Sequence, residues 1–262
     1  WPMTAEPGTP PPSEEFIGSF GFDHVVEEFD RYVHIGDQLT PYMRFLDEHG
    51  ELETYRDVIR DNFRGGDHHW NGVTSPLPQE LDLTCFLADE AQQWIGRQSS
   101  DRPWMMHLSF VQSHVPLIGD PIWADHYAGA QIERTAPAEP TTDTEAWAQQ
   151  LRFRRHHSQS HMRTDDFGLA GARQYSARVS LIDQRVGDLL AQLERSGQLD
   201  NTWIVYCADH GEMLGDHGVM AKMNFYRSSV RVPLIVRPPG GTVGRVESSP
   251  VQAFDVAATL LD

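Results

Sequence analysis

Residues 202–222, TWIVYCADHGEMLGDHGVMAK, decide how this chain is read. Thr202, Trp203, Ile204, Val205, Tyr206 and Cys207 are β-branched, aromatic or apolar without a break, the pattern of a strand buried on both faces. Strands of that kind belong to parallel sheets covered by helices. The run leads directly into Ala208, Asp209, His210, Gly211 and Glu212. Open α/β sheets bind ligands just beyond the carboxyl ends of their strands, which is where Asp209, His210 and Glu212 stand. Asp and His are hard or borderline metal ligands, and glycine lets the backbone approach a bound group. A second cluster, Gly215, Asp216, His217 and Gly218, follows at once, and Lys222 closes the stretch.

Upstream, Trp104, Met105, Met106, His107, Leu108, Ser109, Phe110 and Val111 predict a second buried strand, with Ser113, His114, Val115 and Pro116 at its carboxyl end. If the two strands are parallel in one sheet, His114 and Asp209 face one cleft. Between them, Ala172, Tyr175, Val179, Ile182, Val186, Leu189, Leu190 and Leu193 recur at steps of mostly three and four, which predicts a long helix closed by Gly197. Leu83, Phe86, Leu87, Ala91, Trp94 and Ile95 predict another over 80–96. Thr40 and Pro41 open a short one that Gly50 stops. After Lys222, 231–237 read as a strand and 254–261 as a helix. Strand, helix, strand, loop, strand, helix is an α/β layout. Residues 1–15 are Pro-rich and acidic. Residues 1–79 are expected to form an irregular segment at the active-site rim, and 80–262 the α/β core, with 119–171 as an insertion or lid. The His68–His69 pair and the basic run 152–161 are read as solvated, although the run could also attract an anion.

The chain has 262 residues, 39% hydrophobic and 23% charged, as in an ordinary globular protein. Its net charge of -17 argues against nucleic acid and anionic membranes as partners. An anionic substrate stays admissible, because a metal or lysine reverses the field inside one cleft. Two cysteines, Cys85 and Cys207, build no disulfide framework and are read as core residues. The first residue is Trp, not Met, and the last ones fall inside an amphipathic segment, so both ends are expected to be internal to a longer chain.

Asp209 with His210 and a lysine in reach suggests a divalent metal acting on an anionic group. A metal there would serve as Lewis acid on a phosphoryl or sulfuryl oxygen. Lys222 would neutralise developing charge, and His114 would protonate a leaving group. One Asp–His pair is too few ligands, so further carboxylates are required.

The run from Asp209 to His217, with Lys222 thirteen residues after Asp209, resembles the second metal motif of the sulfatase branch of the alkaline phosphatase superfamily. His107 to Pro116 is similar to the strand that presents that family's active-site histidine. Ile182, Asp183, Val186, Gly187, Leu189 and Leu190 match the helix preceding its metal strand, and the segments at 231–235 and 255–261 fall where the family places them. The wording looks closest to phosphonate monoester hydrolases, with arylsulfatases close behind. The resemblance implies an alkaline-phosphatase-like, mostly parallel central sheet flanked by helices, incomplete at both ends. It implies hydrolysis of sulfate, phosphonate or phosphate esters through a formylglycine made from cysteine, with one divalent metal ion (Mn, Zn or Ca). Carried over by residue, Asp209 and His210 are metal ligands, His114 and Lys222 are catalytic, and Glu212 and His217 support the site or bind substrate. Neither Cys85 nor Cys207 has Pro and Arg at the required spacing, so no nucleophile is expected in this chain. The expected partner is a small anionic ester, with a homo-oligomer left open. A phosphomutase or transferase of the same superfamily and a non-catalytic binding protein are the alternative readings.

Overall fold

The computed structural model describes residues 17–36, 39–64, 72–99, 101–133, 165–222, 224–241 and 244–261. His68, His69 and the run 152–161 lie outside these residues, as does most of the expected insertion.

The chain folds as α/β around one long helix. That helix, α5 (Asp165–Arg195), starts seven residues before the point the periodicity indicates. It ends as expected at Gly197, whose φ of 68° no β-branched residue takes cheaply, while Gln198 N–H closes the turn by donating to Leu193 O at 2.8 Å. Ala172, Ala177, Leu181, Ile182, Leu189 and Leu193 are buried along its inner face. Val179, expected on that face, is 41% exposed. Its place in the turn is opposite Ala177 and Leu181, and only those two are covered.

Helix α3 (Leu83–Gly96) packs along α5. Its N-cap is Asp82, whose Oδ1 accepts from Thr84 N–H at 2.8 Å. Helix α1 (Pro41–Glu48) starts at Thr40, whose hydroxyl accepts from Met43 N–H, as the Thr–Pro signal predicts. Helix α2 (Leu52–Arg64) follows. Met43, Leu46 and Ile59 have no exposed surface and sit with Leu83, Phe86, Leu87 and Ile118 in the largest apolar cluster. Each such side chain contributes about 1.5–3 kcal/mol by burial. Residues 41–64 are therefore helical core, which departs from the irregular segment expected through residue 79.

Strands β1 (Val73–Thr74) and β2 (Ile118–Gly119) pair in parallel. Strands β3 (Ile204–Cys207) and β4 (Leu234–Arg237) pair antiparallel, Ile204 opposite Arg237 and Cys207 opposite Leu234. Helix α4 (Pro121–Tyr127) lies against α5, and α6 (Arg227–Val230) and α7 (Asp255–Leu261) complete the described elements.

Two strand expectations are corrected. The 104–111 segment is extended but forms no ladder among the described residues. Trp104, Met106, Leu108 and Phe110 turn inward onto the helices, while Met105 is 68% exposed, so this segment is covered on one face only. The β3 strand exists, but it is not buried: Trp203 and Tyr206 are exposed, and Cys207 is an exposed free thiol. The reason is that β4 is its one described ladder partner and β4 is itself exposed. Cys85, by contrast, is buried as expected, and burial pushes its thiol up to about 12.

Candidate active site

The turn after the 104–111 segment carries His114. Its Nδ1 lies 2.6 Å from Asp30 Oδ2 and 3.1 Å from Val115 O. A neutral or protonated ring in that position donates from Nδ1 to the carboxylate, which leaves Nε2 for a ligand. Asp30 is the residue before a 3₁₀ turn (Arg31–Ile35). Sequence reasoning missed it, because its link to His114 spans 84 residues and nothing local marks it.

The neighbouring Arg31 is almost fully buried. It donates to Asp82 Oδ2 at 3.3 Å and to Ile118 O at 3.2 Å. Gln112, also buried, donates to Asp82 Oδ1 at 3.3 Å. Asp82 thus caps α3 and ties together the segments on either side of His114. Below this, His34 is fully enclosed between Tyr55 OH at 2.8 Å and Glu28 Oε2 at 3.2 Å.

The second wall is the loop after β3. Asp209 Oδ1 accepts from His210 N–H at 2.8 Å, and His210 Nδ1 sits 2.9 Å from Gly211 O. Donation from Nδ1 to that carbonyl leaves the Nε2 lone pair outward, the tautomer a metal ligand needs. Nε2 and Asp209 Oδ2 are 3.4 Å apart on exposed side chains. Two donors about 2.1 Å from one tetrahedral ion stand about 3.4 Å apart, so the pair fits as two ligands of a divalent metal. No group of three His, Cys, Asp or Glu residues gathers for a metal among the described residues.

Gly211 admits no side chain: a Cβ would meet Ser228 O at 2.0 Å, and Gly211 N–H donates to Ser229 O. The loop then doubles back, with Met213 N–H donating to Ala221 O and Gly215 N–H to Val219 O. Leu214, His217 and Ala221 all take positive φ, 45°, 54° and 63°, strain that such a loop keeps when the surroundings enforce it. Enforcement comes from His217 stacked on Tyr226 at 3.9 Å and from Asp216, which accepts from Ser228 Oγ at 2.5 Å. Glu212 turns inward and accepts from Met213 and Leu214 N–H. Burial raises its carboxyl above the usual range, against those bonds and Lys222.

Lys222 follows on the same loop. Burial lowers its amine, while the charges of Glu212, Asp30 and Asp209 oppose that shift. Asp30 is thus paired with His114 and lies within electrostatic range of Lys222. The backbones are brought together by an apolar contact in which Leu117 and Met220 are buried with Val115, Tyr175, Leu214 and Ala221. A cavity of about 570 Å³ opens elsewhere, between Glu212, Asp216 and the start of α5. None of His114, Asp209, His210 or Lys222 lines it.

The described elements have an alkaline-phosphatase-like α/β architecture. Phosphonate monoester hydrolase of Agrobacterium radiobacter superposes with a TM-score of 0.62 at 25% identity, over 78% of this chain and 42% of that one. Phosphonate monoester hydrolase from Silicibacter pomeroyi gives 0.57 at 27% identity, over 71% and 38%. Choline-sulfatase of Rhizobium meliloti (strain 1021) is 32% identical over 185 residues, 69% of this chain and 36% of that protein. The sulfatase family profile matches residues 12–262, and the chain belongs to the sulfatase family. It spans about two fifths of the length of these relatives.

Proposed function

We propose that the protein hydrolyses small anionic esters, sulfates or phosphonate and phosphate esters, with the help of a divalent metal. The observation that carries this reading is the His114–Asp30 ion pair on one loop and the exposed Asp209–His210 pair with part-buried Lys222 on the other, the two loops packed together at Leu117 and Met220. Members of this family generally depend on a divalent metal. Asp209 and His210 would hold part of its coordination, and when bound it supplies Lewis-acid polarisation of the ester oxygens. Lys222 places a cation where charge develops in the transition state. Asp30 fixes the His114 ring by accepting from its Nδ1. Nε2–H then donates to the leaving oxygen. Glu212 supports the Lys222 side, and His217 holds the loop that carries it. Neither described cysteine suits attack on the ester: Cys85 is a buried, weakly acidic thiol, and Cys207 lacks the flanking Pro and Arg. The choice between sulfate and phosphonate falls within this proposal, because both are anions that a lysine and a metal neutralise in an acidic protein.

The test assays the full-length protein with aryl sulfate, aryl phosphonate and aryl phosphodiester substrates, before and after metal removal by a chelator. Turnover of at least one class, lost on chelation and restored by Mn²⁺, Zn²⁺ or Ca²⁺, is expected. Turnover indifferent to chelation, or no turnover of any class with metal present, rejects the reading.

A further inference from the structure

Arg178 sits midway along α5, where a leucine would cover the same apolar face at no desolvation cost. Tyr175 lies three residues before it and Ile182 four after, so it stands on the inner stripe of the helix, 2% exposed. Its Nη1 lies 2.8 Å from His114 O and 2.9 Å from Pro116 O, with Ser113 O farther at 3.5 Å. The two N–H groups on that nitrogen thus go to the residue that bears the imidazole and to the residue two beyond it. Its Nε has no hydrogen-bond partner. Burial drives the guanidinium down from its usual range and Arg31 adds repulsion, while Asp82, Tyr55 and Asp30 oppose the shift.

A buried charge without a direct ion pair is costly, and an apolar residue of similar volume is often equal or better for stability. The two carbonyl contacts show where the charge acts. From the opposite side, Arg31 holds Ile118 O, at the far end of the same turn. The imidazole itself is held by Asp30, but the peptide it hangs from is held by Arg178.

We infer that Arg178 is a positioning residue for His114, setting through two main-chain carbonyls the place from which the imidazole donates its proton. This inference rests on the reading of His114 as the acid. A ring displaced by about 1 Å loses on the order of 100-fold in rate. Proton donation matters most for a poor leaving group, so the effect has a chemical signature that misfolding lacks.

The experiment uses the full-length protein with phenyl and 4-nitrophenyl esters of whichever acid the wild type hydrolyses fastest. In Arg178→Ala, kcat for the phenyl ester falls about 10–100-fold with KM unchanged, and the 4-nitrophenyl ester loses less than about threefold. Arg178→Lys keeps a cation and donors for the carbonyls, and it shifts the phenyl-ester rate in the same direction by about 3–10-fold. It serves as the readout if the alanine variant does not fold. In a His114→Ala background, Arg178→Ala costs nothing further on the phenyl ester. Equal losses on both esters in either variant, or losses that multiply with His114→Ala, overturn the inference. If His114→Ala alone leaves the phenyl ester untouched, the acid assignment falls and the inference with it. If His114→Ala slows that ester and neither Arg178 variant does, the inference alone falls.

Discussion

His114 and Lys222 stand on two loops packed together at Leu117 and Met220, yet they are held there by different means. The His114 wall is a buried polar lattice. Arg31, Asp82, Gln112 and Arg178 are each 6% exposed or less, and their bonds run between segments far apart in sequence. The Asp209 wall is an exposed loop on an exposed strand pair, shaped by positive backbone angles and two local side-chain contacts. The first wall should lose stability when a partner is deleted. The second should lose the proposed chemistry while the fold stays intact. A proton donor needs a fixed direction, which rigid burial supplies. A metal ligand needs an open coordination face, which burial would remove.

Four measurements break or sharpen that contrast. The largest effect is expected from Asp82→Ala, which removes a helix cap and strands Arg31 inside the protein. Thermal or denaturant unfolding should show a loss of about 3–5 kcal/mol. A loss below about 1 kcal/mol would mean that the lattice does not carry this wall. Asp209→Ala should do the reverse, lowering metal-dependent turnover about 1,000-fold with bound metal reduced and the unfolding midpoint unchanged. Normal metal content with normal turnover would remove Asp209 from the ligand set. Asp30→Asn keeps the shape but weakens the hold on the imidazolium, so kcat for an ester with a poor leaving group should fall about 10–100-fold. An unchanged rate would show that the 2.6 Å contact is structural only.

The smallest expected effect is that of Glu212→Gln on stability. Burial raises the folded carboxyl above its unfolded value. Protonation therefore favours the native state, and the wild type loses stability as pH rises through the folded value. The amide variant lacks that loss and should be the more stable at neutral pH, the gap closing below about pH 4. A gap that widens on acidification would contradict the burial argument.

How far the sequence carried this picture depends on the range of the interactions. Thr40 with Pro41 and the stripe ending at Gly197 are local signals, and each appears in the structure where it is expected; the Asp209–His210 pair is also local, and follows β3 directly. The burial of β3 was inferred from composition alone, and composition does not say which partners a strand finds; Trp203 and Cys207 are exposed for that reason. Asp30, Arg31 and Asp82 belong to contacts across 51 to 87 residues, which no periodicity reports. Arg178 was legible in principle. A charge on an apolar helical stripe, three residues after Tyr175 and four before Ile182, asks for a buried partner. The reading of α5 counted only its hydrophobic residues.

Among the described residues, Leu117 and Met220 form a buried apolar seam between the loop bearing the imidazole and the loop bearing the amine. Neither belongs to the proposed chemistry, yet under that proposal their combined bulk would set the spacing between the two loops that an ester must bridge. A methylene added or removed there changes a spacer, not a reagent. Under the proposed function, selection among anionic esters of different size would depend on this seam as well as on the groups that do the chemistry.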